Sequence, residues 1–305
     1  MNILAIIHAR KWSWTLVLDG ITKRLKHHKI AKHTWNPNIN IDTDILDFFD
    51  IVLTQNVDEM KQVRLSEKVI CRIGGFYMDR EHHPENRFDE ELSKVGAIIA
   101  TNDRLYQVGK RVNPDTFMIP NGIDLDVFRP LCTTQSITRK KFTVGFAGNI
   151  QGGSSMNYKG WRYYVEATNR LRPLIDTFNA LYDHKQIDHD KMPTEFFSKI
   201  DCLVLPSVGE GSSNIVMEAL ACGVPVLLTK VGFHGENLQH GINCLFIKRE
   251  VNDIMTKIKM LMNDPILQRQ LSLNGRIFAE VNHDINDIAA EYDDIFKLIL
   301  DKKGT

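Results

Sequence analysis

The chain has 305 residues, of which 43% are hydrophobic and 25% are charged, and its 38 basic side chains balance 38 acidic ones. This composition is typical of a globular protein, and the length is generous for one hydrophobic core but suits two domains. Because the net charge is zero, no global field draws the chain to nucleic acid or acidic lipid, although a local basic patch remains compatible with it.

The cysteines and the hydropathy pattern indicate a reducing compartment. The five cysteines are scattered and form no C-x-x-C pair, so we expect reduced thiols in the core. The sequence has no signal-peptide pattern, and no apolar run approaches the length of a membrane span. We therefore expect a cytoplasmic protein, with peripheral attachment to a membrane surface left open.

Apolar runs alternate with helical segments in the first part of the chain. Strands are predicted at residues 1–8, 51–54, 69–73, 97–101 and 116–119, and helices at residues 15–28 and 102–111. This alternation predicts an α/β fold with a mostly parallel sheet. Around residues 130–140 the composition turns polar, which is typical of a linker between domains.

The loop after the first strand is rich in side chains that can bind a ligand. It contains His8, Arg10, Trp12 and Trp14. The cation supplies positive charge, and the indole rings can stack on a sugar or a base. The alternative is that one tryptophan packs the start of the following helix and the cation is solvated.

A basic segment at residues 23–33 follows. Residues 8–33 contain seven lysines and arginines but a single acid, Asp19. The apolar positions of the predicted helix form a buried stripe, so the charges are expected on its outer, solvated face. The alternative is a dock for a phosphate-bearing acceptor, either anionic lipid or DNA.

The second half begins with a predicted strand at residues 142–147 and a glycine-rich loop at residues 151–160, which ends in Lys159-Gly160. A helix begins at Trp161, a strand is predicted at residues 177–181 and a helix at residues 193–200. Residues 251–300 have the pattern of amphipathic helices.

Residues 201–228 predict a strand, a loop, a helix and a second strand. The apolar run 202–205 ends at Pro206, a serine can cap a helix over residues 214–222, and Gly223 provides the left-handed stop. In a βαβ unit the helix starts at the carboxyl edge of the sheet, and its first amides can hold an anion such as a diphosphate.

Two carboxylates flank this predicted anion site. Glu210 lies in the loop and Glu218 on the second turn of the helix. Carboxylates do not bind phosphate, but they accept hydrogen bonds from sugar hydroxyls. Each one alone would be a solvated surface residue, whereas their common frame favours a role in ligand binding.

Two segments carry a resemblance to a known family. The first resembles the E-x7-E signature of retaining glycosyltransferases of the family-4 type, which have the GT-B fold. It matches at Pro206, Ser207, Glu210, Gly211, Glu218, Ala219, Ala221, Gly223, Pro225 and Val226. The second, residues 119–124 with Phe128 and Pro130, is similar to the segment that leads out of the family's first domain.

The resemblance implies two Rossmann-like domains with a cleft between them. We expect an acceptor domain at residues 1–130, a linker at 131–140 and a nucleotide-sugar donor domain at 141–285. Residues 286–305 would form a C-terminal helix, for which a return to the first domain is left open.

The resemblance also implies roles for individual residues. Glu210 would contact the transferred sugar, Lys159 the diphosphate and Glu218 the nucleotide ribose. The donor-binding set is completed by Gly211, Ser212, Ser213, Asn214 and Asn149, and the acceptor-binding set is His8, Arg10, Trp12, Trp14 and Arg72. No metal and no cofactor are expected beyond the donor itself.

Three positions depart from the family pattern. Ala9-Arg10 replaces a Gly-Gly pair, Gly74 or Gly75 stands in place of a histidine that contacts the sugar, and Asn149 stands where an arginine usually grips the diphosphate. In the family the Gly-Gly pair approaches the donor phosphates and the histidine contacts the sugar, so the first two departures affect these contacts and the third removes half of the contacts to the diphosphate.

The sequence thus predicts a retaining, metal-independent hexosyl- or pentosyltransferase. It would move a sugar from a nucleotide diphosphate to a hydroxyl of a glycan, a lipid-linked acceptor or a small molecule. Three alternatives remain open: a DNA-modifying glycosyltransferase acting on hydroxymethylated bases, a non-catalytic module that binds sugar nucleotides, and a GT-B-type sugar-nucleotide epimerase.

Overall fold

A computed structural model of the protein describes residues 1–7, 13–36, 41–55, 60, 63–74, 88–131, 141–150, 158–181 and 187–302. The chain divides into two compact units, one formed by Met1–Ile123 with Asp284–Thr305 and the other by Asp124–His283. Among the described residues, no helix combines the length and the apolar character that a membrane span needs.

The strands of the first unit are β1 (Asn2–Ile7), β2 (Lys29–Thr34), β3 (Ile51–Thr54), β4 (Val69–Ile73), β5 (Ala97–Ala100) and β6 (Thr116–Met118), and those of the second are β7 (Phe142–Gly148), β8 (Ile175–Leu181), β9 (Cys202–Leu205), β10 (Val226–Leu228) and β11 (Leu245–Phe246). The α-helices are α1 (Ser13–Arg24), α2 (Thr43–Asp47), α3 (Asp89–Leu92), α4 (Asp103–Val112), α5 (Trp161–Leu171), α6 (Met192–Glu195), α7 (Asn214–Ala221), α8 (Gly232–Asn237), α9 (Val251–Met262), α10 (Pro265–Asn282) and α11 (Ile285–Asp301).

Each unit is built on a parallel sheet. The first sheet has the order β2-β1-β3-β4-β5-β6 and the second the order β11-β10-β9-β7-β8. Every strand pair within the described part of the chain runs parallel. The strands β3, β4, β5 and β9 are buried along their whole length, because helices cover parallel sheets on both faces and apolar residues are then needed at every position.

The last helix, α11, is part of the core of the first unit. It packs against α1, and Tyr292 and Phe296 join Trp14, Leu18 and Ile21 in one apolar cluster beneath the sheet. A separate cluster, which includes Leu46, Leu92 and Leu105, completes the core. The first unit is therefore built from two stretches that are distant in sequence.

The boundary between the units lies earlier than the polar stretch around residue 130 predicted. Residues 124–130 belong to the second unit, because Phe128 is anchored there. Its ring packs against His189, with the centroids 4.9 Å apart, and its carbonyl oxygen accepts a 2.7 Å hydrogen bond from Nη1 of Arg276. Residues 132–140, most of the predicted linker, lie outside the described residues.

The prediction that the basic segment forms the outer, solvated face of a helix holds only for its first residues, since Lys23 is exposed on α1. Helix α1 ends at Arg24 rather than at residue 28, and the residues from Lys29 form the edge strand β2 beside β1. Lys32 forms an ion pair with Asp19. The segment is therefore a helix end followed by a largely exposed strand.

No disulfide bond joins the cysteines within the described residues. Cys71, Cys202 and Cys244 are buried and Cys222 is partly buried. Burial raises the pKa of the Cys244 thiol to about 12, so this thiol stays protonated and unreactive at neutral pH. Cys132 lies outside the described residues.

A charged cluster joins α11 to the turn between α1 and β2. Oδ1 of Asp293 accepts hydrogen bonds from Nε2 of His28 at 2.6 Å and Nε2 of His27 at 3.2 Å, while Lys297 lies 2.7 Å from Oδ2. The ligand atoms of the two histidines and Asp293 lie within 4.8 Å of one another, but the lysine ammonium shares the carboxylate, which indicates an ion-pair network.

Asp293→Asn should destabilise the protein by about 2 kcal/mol at pH 7, since hydrogen bonds to charged groups are worth roughly 1.5–3 kcal/mol. Burial alone would raise the pKa of Asp293, but hydrogen bonds from Lys297, His28 and His27 outweigh it and hold the pKa well below its usual value of 3.8. The stabilisation is therefore present above about pH 4 and is lost as the pH falls further.

Urea unfolding of both proteins between pH 7 and pH 3 measures this difference, which should shrink below pH 4. Asp294→Asn is the matched control, because its carboxylate is 81% exposed and should change the free energy of unfolding by less than about 0.5 kcal/mol. Equal effects of the two substitutions would contradict the prediction.

Candidate functional site

The loop between β9 and α7 lies at the carboxyl edge of the second sheet. Strand β9 ends at Leu205 and helix α7 begins at Asn214, with Ser213 at the N-cap position. The neighbouring strand β7 is parallel to β9 and ends at Gly148, so Asn149 follows at the same edge of the sheet and is exposed there. The donor-binding set predicted from the sequence is thus partly brought together by the topology.

Glu210 is held in place by two polar partners. Its Oε1 atom lies 2.6 Å from Nζ of Lys159 and accepts a 2.7 Å hydrogen bond from Oγ of Ser207. The Glu210 side chain is 12% exposed and that of Lys159 is 24% exposed. A partly desolvated ion pair keeps both charges at one defined point beside the start of α7.

The backbone explains why Lys159, 51 residues away in sequence, meets Glu210. The amide of Val208 donates a 2.8 Å hydrogen bond to the carbonyl oxygen of Tyr158. Gly160 has φ +72°, and a Cβ atom there would lie 2.1 Å from the carbonyl oxygen of Pro206. Only glycine permits so close an approach of the two segments.

The segment after β10 supports the same loop from another direction. The amide of Phe233 donates a 2.8 Å hydrogen bond to the carbonyl oxygen of Gly211. Gly232 has φ +62°, and a Cβ atom there would lie 2.4 Å from the carbonyl oxygen of Glu210. The backbone around Glu210 is therefore fixed by Gly160 and Gly232, and the close approach at these two glycines is visible only in the folded chain.

Gly232→Ala should lower the free energy of unfolding by roughly 2–4 kcal/mol, from a strained positive φ together with the clash against the Glu210 carbonyl. Gly241→Ala is the matched control, because Gly241 has φ +76° and a Cβ atom there would meet nothing within 4 Å. The control should show the strain alone, about 1–2 kcal/mol. Urea unfolding of both variants tests this, and equal losses would show that the close approach to Glu210 is unimportant.

Glu218 is a buried carboxylate, rather than the surface residue it would be if taken alone. Its side chain is 3% exposed, and Oε1 lies 3.0 Å from Nε2 of His189. Helix α7 is buried at almost every position, so the carboxylate stands in an apolar surrounding. A buried charge in such a place needs a hydrogen-bonding partner.

His189 was not predicted from the sequence. It lies on a short 3₁₀ turn, His189–Lys191, in a polar stretch without a motif. Nothing in the local sequence distinguishes this histidine, because its partner Glu218 is 29 residues away along the chain.

The first turn of α7 has the features of an anion site. Ser212 and Ser213 are 7% and 6% exposed, and the side chain of Ser213 makes no capping hydrogen bond. The amide groups of a first helical turn have no partner within the helix. Together with Gly211 and Asn214, these residues present the positive end of the helix dipole next to Lys159.

The residues predicted to bind the acceptor are either buried or outside the described part of the chain. His8, Arg10 and Trp12 lie outside the described residues. Trp14 is 1% exposed, so its ring packs the start of α1 and does not stack on a ligand in this structure.

Arg72, which was predicted to bind the acceptor, is also buried. It is neither exposed towards a ligand nor part of an ion pair at the surface. It is 4% exposed, its guanidinium lies 4.3 Å from the centroid of the Trp14 ring, and it donates to Oδ1 of Asn121. Asn121 belongs to the segment 119–124 that resembles the family's domain exit. In the first unit this segment therefore helps to hold a buried cation.

The D-x-D pairs Asp42-Asp44 and Asp124-Asp126 have structural roles, whereas in a third pair, Asp188-Asp190, both side chains are exposed. Oδ1 of Asp42 accepts the amide of Asp44 and caps α2. Oδ1 of Asp124 accepts the amides of Asp126 and Val127 at 3.1 and 3.4 Å. The side chains of Asp42 and Asp124 thus accept hydrogen bonds from backbone amides.

Solved structures define the class of fold. HepE of Anabaena, crystallised with UDP and glucose, aligns with a TM-score of 0.77 and 15% identity over 97% of this chain and 99% of that chain. Sucrose-phosphate synthase of Thermosynechococcus elongatus aligns with a TM-score of 0.80 and 15% identity over 99% and 100% of the two chains. The two parallel-sheet units have the GT-B fold, as the sequence predicted.

Comparison of sequences shows similarity to glycosyltransferases. Residues 184–264 match the family model described as glycosyl transferases group 1. An uncharacterized glycosyltransferase of Methanocaldococcus jannaschii is 38% identical over 28% of this chain and 24% of its own length, and a D-inositol 3-phosphate glycosyltransferase of Arthrobacter is 28% identical over 65% and 55%. The match spans about half or less of these relatives, and it confirms the resemblance to GT-B glycosyltransferases.

Proposed function

We propose that the protein is a retaining glycosyltransferase that uses a nucleotide diphosphate sugar as donor. The observation that supports this most strongly is the grouping of Lys159, Glu210 and the first turn of α7 at one sheet edge, with Glu218 one turn further along the same helix. This arrangement offers positive charge for a diphosphate and carboxylates for sugar hydroxyls.

Each group has a defined part in the reaction. The amides at the start of α7 and the ammonium of Lys159 hold the diphosphate, Glu210 accepts hydrogen bonds from the transferred sugar, and Glu218 accepts one from the ribose. As the bond between C1 of the sugar and the phosphate oxygen breaks, negative charge grows on the diphosphate, and Lys159 stabilises it. The acceptor oxygen bonds to C1 on the same face, and its proton passes to the departing diphosphate.

This chemistry needs no metal ion. In metal-dependent transferases a metal would neutralise the leaving diphosphate, but here Lys159 and the helix dipole supply that charge. Asp42 caps α2 and Asp124 accepts backbone amides in a turn, which supports the proposal. Activity should therefore persist in EDTA.

Relatives suggest the donor and acceptor classes. HepE has been solved with UDP-glucose, so we propose a UDP-hexose as the first donor to test. The matched relatives include D-inositol 3-phosphate glycosyltransferases and a capsular polysaccharide biosynthesis glycosyltransferase of Staphylococcus aureus. A hydroxyl of a polyol or a glycan is accordingly the proposed acceptor.

A thermal-shift panel tests the donor assignment. UDP-glucose, UDP-galactose, UDP-N-acetylglucosamine and GDP-mannose are compared with free glucose and inorganic phosphate. A donor at a hundred times its dissociation constant should add about 2.7 kcal/mol to the free energy of unfolding. If no nucleotide sugar shifts the melting temperature and none is hydrolysed, the proposed function is wrong.

A further inference from the structure

We propose that His189 is a positioning residue of the donor site, which orients the Glu218 carboxylate for the nucleotide ribose. The inference rests on the proposed function and adds to it a residue outside the E-x7-E segment. Its basis is the 3.0 Å contact between Nε2 of His189 and Oε1 of Glu218.

The Glu218 carboxylate depends on His189 for its orientation. The Glu218 side chain is 3% exposed. Within the described residues, its carboxylate is hydrogen-bonded to Nε2 of His189 through Oε1. The bond occupies Oε1 and leaves Oε2 available as an acceptor. A carboxylate held at one oxygen can present the other to a ribose hydroxyl without losing rotational freedom on binding.

The imidazole is itself held by packing. Its ring centroid lies 4.9 Å from that of Phe128, which is 1% exposed and packs edge-on against Phe197. The His189 side chain is still 27% exposed. The ring is therefore fixed on one side by the core of the second unit and open to solvent on another.

The hydrogen bond also determines that Nε2 of the His189 imidazole carries a proton. Because the carboxylate can only accept, Nε2 must carry the proton. Nδ1 lies 3.9 Å from the exposed carboxylate of Asp190. His189 therefore acts as a donor towards Glu218, and a side chain that donates from the same place should replace it.

Binding of UDP and of 2′,3′-dideoxy-UDP, measured by calorimetry, tests the proposal, with GDP and its dideoxy form run in parallel. The wild type should prefer the ribose form by about tenfold or more, the value of one hydrogen bond to a charged group. In His189→Phe, which keeps an aromatic ring but cannot donate, the preference should fall to within about twofold while dideoxynucleotide affinity is unchanged. His189→Gln, which can donate, should recover most of it.

Asp190→Asn is the control variant. It should leave the preference for the ribose form of the nucleotide unchanged. If His189→Phe lowers only the melting temperature and keeps the ribose preference, His189 merely neutralises a buried charge and the inference is overturned. If His189→Phe does not fold, the inference stands or falls on His189→Asn, which is too short to reach Oε1 and should lose the preference. If the wild type binds none of the nucleotides, the proposed function itself fails.

Discussion

Substitution of Lys159 by Met should lower kcat for sugar transfer by about 10²–10³-fold, with a much smaller change in donor affinity. Removal of one group that stabilises developing charge in a transition state typically has this effect. Methionine keeps the apolar stem of the side chain, so packing beside Gly160 should survive. Initial rates of nucleoside diphosphate release from the donor found in the thermal-shift panel provide the measurement.

Glu210→Gln should also lower kcat, and the double variant should be little worse than the poorer single one. The two side chains touch at 2.6 Å, and residues that act as a unit are strongly non-additive. Lys141→Ala is the control, because it removes a lysine whose side chain is 43% exposed and lies 4.0 Å from Asp176. It should stay within twofold of the wild type, and a loss as large as that of Lys159→Met would refute the assignment.

The central βαβ unit was predictable because its signals are local. Strand β9 has the predicted bounds, residues 202–205, and helix α7 ends one residue before the predicted end. An uninterrupted apolar run, a proline at its end and a glycine with φ +70° after the helix each act over a few residues. No tertiary contact is needed to recognise them.

The features that sequence missed depend on distant partners. Strand β2 has the polar sequence KIAKHT, and it is a strand because β1 offers a free edge along its whole length. His189 meets Glu218, and Arg72 is enclosed by Trp14 and Asn121, only after the chain has folded. Propensity and periodicity do not contain such pairings.

Glu218→Gln should raise the dissociation constant for the donor by roughly 10–100-fold, the value of a hydrogen bond to a charged acceptor. The amide is nearly isosteric with the carboxylate, and its oxygen can still accept from His189, so the fold should be kept. Because the ribose does not change charge during the reaction, kcat at saturating donor should stay within about threefold.

The contrast between the two carboxylates is the decisive result. Glu210 and Glu218 are separated by seven residues, yet one lies beside Lys159 and the other beside His189. If Glu210 acts on the sugar and Glu218 on the ribose, substitution of the first lowers kcat and substitution of the second raises KM. Equal losses of kcat in both variants, with unchanged donor affinity, would show that the roles have been assigned wrongly, even if the protein transfers sugars.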